Sequence, residues 1–515
     1  MNNQQTFTYQ TRLKIDQEQE PALTAYAALY GTVERKLFAA LEAGENASKL
    51  KSDFLRRYGI TARQYNAISI TLKGKIASIK EQRVGLVKEL KARIKKAIKV
   101  ISKAKNPNKI HQKKRRLDRL NNQLASMETK KKAGAVNICF GGKKLFRKQF
   151  HLEENGYDSH KEWKQDWANA RSNQFYVIGS GDETGGCQGC VATLQPDGAI
   201  TLRIRLPNAL VLNGKYLVIP DIRFSYGQEV IEAAVLTGQA ISYRFMRDEK
   251  GWRVFVSTTY QAPELISNLN RGAIGVDINV DHLAVAETDR FGNLINATKY
   301  DCVTYGKTSN QVKSIISDKV NLIKNSAATM GKPVVIENLD LEKHKAEMEN
   351  KNPKACRQIS SFAYMTVQNL LRAACLRAGI EVLQVNPAYT STIGAVNYAQ
   401  KYGISVHQGA ALAIARRSLG FSERPSVQTA VTPVYNGGHV PFPLPARNRG
   451  KHVWSFWAEV HRKLKAAHAA HGRSGSPEPL RHSPALSSYC PLPVRPRYAN
   501  RQQNCSTDVL DDIPL

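Results

Sequence analysis

The feature that most constrains the fold of this chain is the stretch GAIGVDINVDHLAVAETDRFGNLINAT, from Gly272 to Thr298. Two apolar runs, GAIGVDIN and DHLAVAETD, follow each other directly, and the turn DRFGN leads into a third, LINATKY. Short, nearly continuous apolar runs bounded by turn residues read as buried strands, so the segment predicts a three-stranded meander. One carboxylate, Asp277, sits in the middle of the first run. A charge taken out of water without a partner is strongly unfavourable, so this aspartate requires an explanation.

Downstream, strands and helices alternate. SNQVKSIISDKVNLIKNSAATMG is a helical pattern, PVVIENLD a short apolar strand, SSFAYMTVQNLLRAACLRAG an amphipathic helix, IEVLQVNP a strand, and SVHQGAALAIARRSLG a final helix. The order β-β-β-α-β-α-β-α is that of the ribonuclease H-like fold, and it predicts an α/β domain over 271–425. In that topology the first strand and the end of the fourth lie side by side, which brings Asp277 near Glu337. Either acid alone reads as a strand-end residue capped by water. Two converging carboxylates suit an oxygen-liganded divalent cation such as Mg2+. Paired cations about 3.5–4 Å apart activate water and stabilise the leaving oxygen in phosphodiester hydrolysis. Asp281 would share the face of Asp277 in a flat strand, but a turn between them would break that relation.

The rest of the 515 residues reads as further domains, giving a multidomain α+β chain. FTYQTRLKI is a strand within 1–17. Residues 18–134 are helical, and a turn at Asn106-Pro107-Asn108 divides a long basic pair. Residues 135–270 shift to period two, with hairpins at ATLQPDGAITLRIRLP and ISYRFMRDEKGWRVFVSTTY. If the first strand pairs with this region, the helical domain is an insertion into it. Residues 426–515 form a Pro-, Ser- and Arg-rich tail, expected to be mostly disordered apart from a helix at VWSFWAEVHRKLKAAHAAHG.

The net charge is +32 and the isoelectric point near 9.8. Between Lys73 and Lys132 there are 21 Lys and Arg against 4 Asp and Glu. A solvated helical face normally mixes both signs, so this block reads as a phosphate-neutralising surface. It has few bulky aromatics for a membrane interface. No apolar run is long enough for a membrane span, and no basic-then-apolar leader opens the sequence, so a cytoplasmic protein is expected, with no membrane partner. Of the eight cysteines only Cys187 and Cys190, in CQGC, have ligand spacing. A structural zinc site needs about four ligands, so these read as ordinary loop cysteines.

The stretches IGVDINVDHLAVAETDRFGN, VVIENLD, SFAYMTVQNLL and VNPAYTS resemble the RuvC-like nuclease domain of transposon-encoded TnpB proteins, and are similar to the related type V CRISPR effector nucleases. The resemblance spans Gly272 to about Glu423. The upstream layout is similar too: a β-barrel-like wedge domain interrupted by a basic helical recognition domain. The resemblance implies an RNA-guided DNA endonuclease of an insertion sequence, with guide RNA and target DNA as partners. It implies that Asp277 and Glu337 are the first and second ligands of Mg2+ or Mn2+.

The family's third ligand is an aspartate in a D-x-N-A-A-type motif. Here the matching stretch is HQGAALAI, and His407 takes that position. Two readings stay open. His407 is a metal-proximal ligand or general base, although imidazole suits manganese, iron or zinc better than magnesium. Alternatively it has no catalytic role, and the protein is a nuclease-weakened or nuclease-dead RNA-guided DNA-binding protein. No zinc ribbon is expected, because TIGAVNYAQKYGIS, where many family members carry CxxC pairs, has no cysteine. Candidate nucleic-acid contacts are Lys113, Lys114, Arg115 and Arg116, with Arg416 and Arg417 on the last helix. A sugar-kinase or actin-like ATPase would need a Gly/Thr-rich phosphate turn after the aspartate, where this chain has Asn279-Val280-Asp281. A DDE-type transposase would share the fold and metal chemistry, but not the wedge-like β region or NPAYTS. The sequence sets no oligomeric state.

Overall fold

The computed structural model describes residues 5–211, 214–338, 364–425, 429–433, 439–446 and 450–474. Glu342, Glu347, Glu349, the SSF opening of the second α/β helix and the tail beyond 474 lie outside them. The chain divides into two compact units, Met1–Ser426 and Val427–Leu515.

The first unit opens with β1 (Gln5–Arg12), followed by α1 (Gln19–Glu42), α2 (Ala47–Tyr58), α3 (Ala62–Ile101) and α4 (Pro107–Lys132). Local chemistry sets these boundaries. Gly59, with φ of 57°, closes α2 in the left-handed region that favours glycine. Thr61 and Gln64 form a reciprocal capping box that starts α3. Asn106 accepts from the N–H groups of Asn108 and Lys109, and Pro107 fills the first turn of α4. The first part of α3 sends Tyr65, Ile68 and Leu72 into a core, whereas α4 buries Leu120 alone.

After α4 come α5 (Lys143–Lys148), α6 (His160–Ala170), β2 (Gln174–Val177), β3 (Cys190–Leu194), β4 (Ile200–Arg205), β5 (Tyr216–Ile222), α7 (Gln228–Leu236), β6 (Ile241–Asp248) and β7 (Gly251–Tyr260). They form two sheets, β1-β7-β6-β2 and β3-β4-β5. Strand β1 pairs antiparallel with β7 along its whole length, from Gln5 opposite Tyr260 to Arg12 opposite Arg253. The helices therefore sit between two strands of one sheet, as an insertion would. Tyr26 of α1 stacks on Phe175 at 4.0 Å, and Phe175 stacks on Phe245 at 4.8 Å, so α1 shares the core of that sheet. Cys187 and Cys190 are free thiols buried in this same core. Burial pushes both thiols up, so neither reads as a reactive thiolate.

The third sheet carries the site. It contains β8 (Ile274–Ile278), β9 (His282–Thr288), β10 (Leu294–Asp301), β11 (Val334–Glu337) and β12 (Val382–Val385), in the order β10-β9-β8-β11-β12. The pairs β8/β9 and β9/β10 are antiparallel, and β8/β11 and β11/β12 are parallel. Helices α8 (Ser309–Met330), α9 (Tyr364–Arg377) and α10 (Val406–Ser418) complete the expected alternation. Side chains alternate across the sheet. Ile274, Val276, Val334 and Ile336 pack with Ile316, Val320, Val367 and Leu371 of α8 and α9. Ala273 and Val335 pack instead with Ile414 and Ala415 of α10. Asp277 and Glu337 fall on the α10 face by the same alternation. Before α10 the chain forms a continuous helical stretch, 390–402, with a π-helical centre at Gly394–Ala399 that the sequence does not signal.

The second unit contains a hairpin of β13 (Thr429–Pro433) and β14 (His439–Pro443), with α11 (Val453–Ser474) against β14. Ala430, Val440, Phe442, Phe456, Trp457 and Val460 are its buried apolar residues. The expected helix is there, and a hairpin that the sequence does not signal accompanies it. Prolines at 433, 441 and 443 hid it, since proline disfavours a central strand but is tolerated where both strands are edges, as here.

Candidate active site

Gly275 explains how the site is built. A Cβ there would lie 2.0 Å from the carbonyl oxygen of Ala411, so α10 rests directly on β8. The first turns of α10 are wedged from the other side too. Gly409 and Gly394 face each other so closely that a Cβ on Gly409 would lie 2.6 Å from the carbonyl oxygen of Gly394. Ser405 and Gln408 form a capping box that fixes the start of the helix. His407 precedes Ala411 by about one turn, roughly 6 Å along the helix. Asp277 follows Gly275 by two residues, roughly 6.6 Å along the strand. The two side chains therefore meet, and His407 Nδ1 lies 3.2 Å from Asp277 Oδ2.

Asp277 is buried, with 7% of its surface exposed, and Oδ2 also accepts from Asn279 Nδ2 at 2.9 Å. Glu337 ends β11 one step beyond the pair Ile336–Val276, beside Asp277 and on the same face. Its carboxyl accepts from the Thr390 hydroxyl at 2.5 Å, and its backbone carbonyl accepts from Tyr364 and Gln368, both at 3.2 Å. Burial pushes the Glu337 carboxyl up to about 7; the Asp277 charge adds to this, while the Thr390 bond and the Arg417 charge oppose it. Burial and a neighbouring like charge both disfavour the ionised form of a carboxyl.

Two residues that sequence reasoning missed support the site, Thr390 at Glu337 and His282 at His407. Thr390 belongs to NPAYTS, whose Tyr389 adopts φ of 62°, a left-handed conformation uncommon outside glycine. That turn delivers Thr390 to Glu337, and the motif's presence beside the acids is the signal that could have found it. His282 lies edge-on to His407, ring centres 4.8 Å apart, and its Nδ1 is 2.7 Å from Asp281 Oδ1. Asp281 does not join Asp277. The turn after Ile278 redirects it to His282 and leaves its side chain largely exposed.

The two arginines expected on nucleic acid are engaged within the protein. Arg416 donates to Glu423 at 2.7 Å and to the Gly292 carbonyl at 2.6 Å, and its guanidinium lies over Phe421. Arg417 donates to the carbonyls of Asn386 and Ala388, holding the NPAYTS turn. Within the protein this basic pair in the last turn of α10 supports the turns beside the site. Lys113, Lys114, Arg115 and Arg116 lie on α4, which buries only Leu120.

Among the described residues, no group of three or more His, Cys, Asp or Glu is arranged to hold a metal ion. The donor set is two adjacent carboxylates, one of them bonded to an imidazole. That set fits a single hydrated magnesium, which is commonly held by one or two carboxylates and keeps several waters. It is not an all-protein cage.

No family profile matches the chain, and no curated protein matches it. Among solved structures it is similar to Thermus thermophilus RuvC in complex with a Holliday junction substrate, at 15% identity over 28% of this chain and 88% of that one, with a TM-score of 0.21. It is also similar to a CRISPR-Cas12f ternary complex, at 11% identity over 80% of this chain and 98% of that one, with a TM-score of 0.20. A Cas12i1 R-loop complex before target DNA cleavage shares 10% identity over 68% of this chain and 61% of that one, with a TM-score of 0.28. All three superpositions are loose, and none of them assigns a role to a residue of this chain. No helix among the described residues is long and apolar enough to cross a membrane.

Proposed function

We propose that this protein is an RNA-guided DNA endonuclease of the TnpB kind, encoded by a transposon, that hydrolyses phosphodiester bonds of target DNA at Asp277 and Glu337. The observation that carries the reading is the pair itself: two carboxylates at adjacent positions of neighbouring strands on one sheet face, Asp277 buried and Glu337 partly buried, with Glu337 pushed up to about 7. A divalent cation held by these two, Mg2+ or Mn2+, would polarise the scissile phosphate and lower the pKa of a bound water. Asn279 and His407 orient the Asp277 carboxylate through Oδ2, and Thr390 orients Glu337. His407, half-exposed at the tip of α10, is placed to take or give a proton. The block of 21 basic residues supports a guide RNA and a DNA duplex as partners. The domain reading (1–17 and 135–270 as a wedge, 18–134 as a recognition insertion, 271–425 as the nuclease) is part of the same proposal.

The test uses full-length protein co-expressed with the DNA that flanks its gene, purified with its RNA and mixed with a target plasmid in Mg2+ or Mn2+. Cleavage in the wild type and none in Asp277→Ala is the expected result. Cutting that persists in Asp277→Ala overturns the site. One observation favours a second reading, an RNA-guided DNA-binding protein with a lapsed nuclease: an imidazole bonded to Asp277 stands where the resemblance calls for a third acid. Target binding without cleavage in either metal would select it.

A further inference from the structure

A cleft of about 520 Å³ lies far along the chain from the acids, between the start of α3, β2 and the β3-β4-β5 sheet. Its lining combines three tyrosines, the buried Tyr26 and the more accessible Tyr176 and Tyr216, with three arginines, Arg63, Arg203 and Arg205, and includes no Asp or Glu. The arginines have distinct jobs. Arg205 is tied to the fold, donating to the Leu206 carbonyl at 2.6 Å and to Asn208 at 2.7 Å, and its guanidinium also lies 5.9 Å from the centre of the Tyr216 ring. Arg63 pairs with Glu183 and donates to Gln188 at 3.1 Å. Arg203 is exposed, lies 4.8 Å over the Tyr216 ring, and has no carboxylate partner among the described residues.

Tyr216 is 48% exposed although it sits on a strand whose Ile219 and Ile222 are buried. An exposed tyrosine backed by an arginine presents a flat, polarisable surface beside a positive charge. A nucleobase can stack on that surface while its phosphate meets the guanidinium. The cavity falls in the size range of small-ligand pockets. A peptide or an acidic protein would find the charge but not need the paired ring faces. A metal would find no acid.

We propose that this cleft binds a single unstacked nucleotide, its base against Tyr216 and its phosphate at Arg203. The nucleotide comes either from a bound strand or from a free mononucleotide. The inference goes beyond the nuclease reading and does not depend on the acidic pair, because every group it uses lies between residues 63 and 216.

The experiment measures fluorescence anisotropy of full-length protein with labelled 12-mer RNA and single-stranded DNA, with AMP and UMP as competitors. A parallel cross-linking arm uses 5-iodouridine oligomers mapped by mass spectrometry. Tyr216→Ala is expected to weaken strand binding roughly five- to tenfold, the lower part of what one base–ring stack contributes, while Tyr216→Phe retains it. Arg203→Ala should weaken binding and flatten its salt dependence, and the cross-link should map to the cleft. Competition by AMP or UMP at comparable concentrations would identify the free nucleotide as the source; lack of competition with a mapped cross-link would identify a strand. Asp277→Ala should change none of these readings, so a failed nuclease assay leaves the result interpretable. Wild-type affinity in both Tyr216→Ala and Arg203→Ala, with thermal stability unchanged and no cross-link in the cleft, overturns the proposal.

Discussion

The two faces of the β8/β11 pair carry different kinds of information. Toward α8 and α9 the residues are large and aliphatic, and any well-packed aliphatic set would do much the same job. Toward α10 the aliphatic contact is limited to Ala273 and Val335, and the positions around it are Gly275, Asp277 and Glu337, under a helix whose Gly409, Ala410 and Ala411 are buried. The first face supplies stability. The second gives some of it up, bringing a helix close enough to place His407 on a buried carboxylate. A mutation can therefore injure the fold or the chemistry separately, depending on the face.

The largest effect should come from the chemical face alone. Asp277→Ala is expected to reduce cleavage by about 10³-fold or more, the order lost when a group central to charge stabilisation is removed. Guide and target affinity should stay within about twofold, measured by gel shift in EDTA. A parallel loss of binding would show that Asp277 holds the fold. Gly275→Val should do the opposite damage. Its side chain enters the space of the Ala411 carbonyl, and the cost is about 2–4 kcal/mol, at the upper end for overpacking because backbone must move. Chemical unfolding would register it; an unchanged midpoint would mean that α10 can lift off the strand.

Glu337 links the two faces through pH. Its folded carboxyl is pushed from 4.5 to about 7, so the folded state holds a proton that the unfolded state has lost. That contribution is fully present below about pH 4.5 and is lost as pH rises through 7. Metal-free Glu337→Gln should therefore be more stable than wild type at pH 8, by up to about 3 kcal/mol. The difference should close toward pH 5. Adding Mg2+ at pH 8 should raise the melting temperature of the wild type and leave Glu337→Gln nearly unmoved. Equal melting curves across pH, with no response to Mg2+, would remove the cation from the site.

How much of the molecule was legible in the sequence follows the same division. Asp277 and Glu337 stood out because each is a charge inside an apolar run, and the order of elements placed them together. His282 and Thr390 carry no such contrast, since a histidine at a strand start and a threonine after a turn are ordinary in isolation. Arg416 and Arg417 were legible only in part: charge at a helix end is visible in sequence, but its partners, Glu423 and the carbonyls of Gly292, Asn386 and Ala388, are brought there only by tertiary packing. The β13/β14 hairpin was hidden by its prolines. The π-helical centre at 394–399 reflects the close approach of Gly394 to α10, which no local pattern announces.

The basic helix offers a third term of comparison, because its information is bulk charge and not position. Replacing Lys113, Lys114, Arg115 and Arg116 by alanine should lower the salt slope of nucleic-acid binding by roughly 3–4, if each residue meets one phosphate. Cleavage at saturating complex should be unchanged. His282 should show the reverse pattern and the smallest effect. It touches no acid of the pair; it stands between the Asp281 carboxylate and the ring of His407. Removing it leaves His407 bonded to Asp277 but without the ring that limits its rotation. His282→Ala should slow cleavage about three- to tenfold, on the order of what one lost positioning contact costs, with nucleic-acid affinity and its salt slope unchanged. His282→Phe keeps a ring beside His407 but loses the Asp281 bond, and so separates packing from hydrogen bonding. Recovery in the phenylalanine variant would mean that His407 needs only a wall. Failure to recover would mean that the Asp281–His282 bond sets the tilt of that wall, and thus that Asp281 contributes to the chemical face after all, through two imidazoles instead of through the cation.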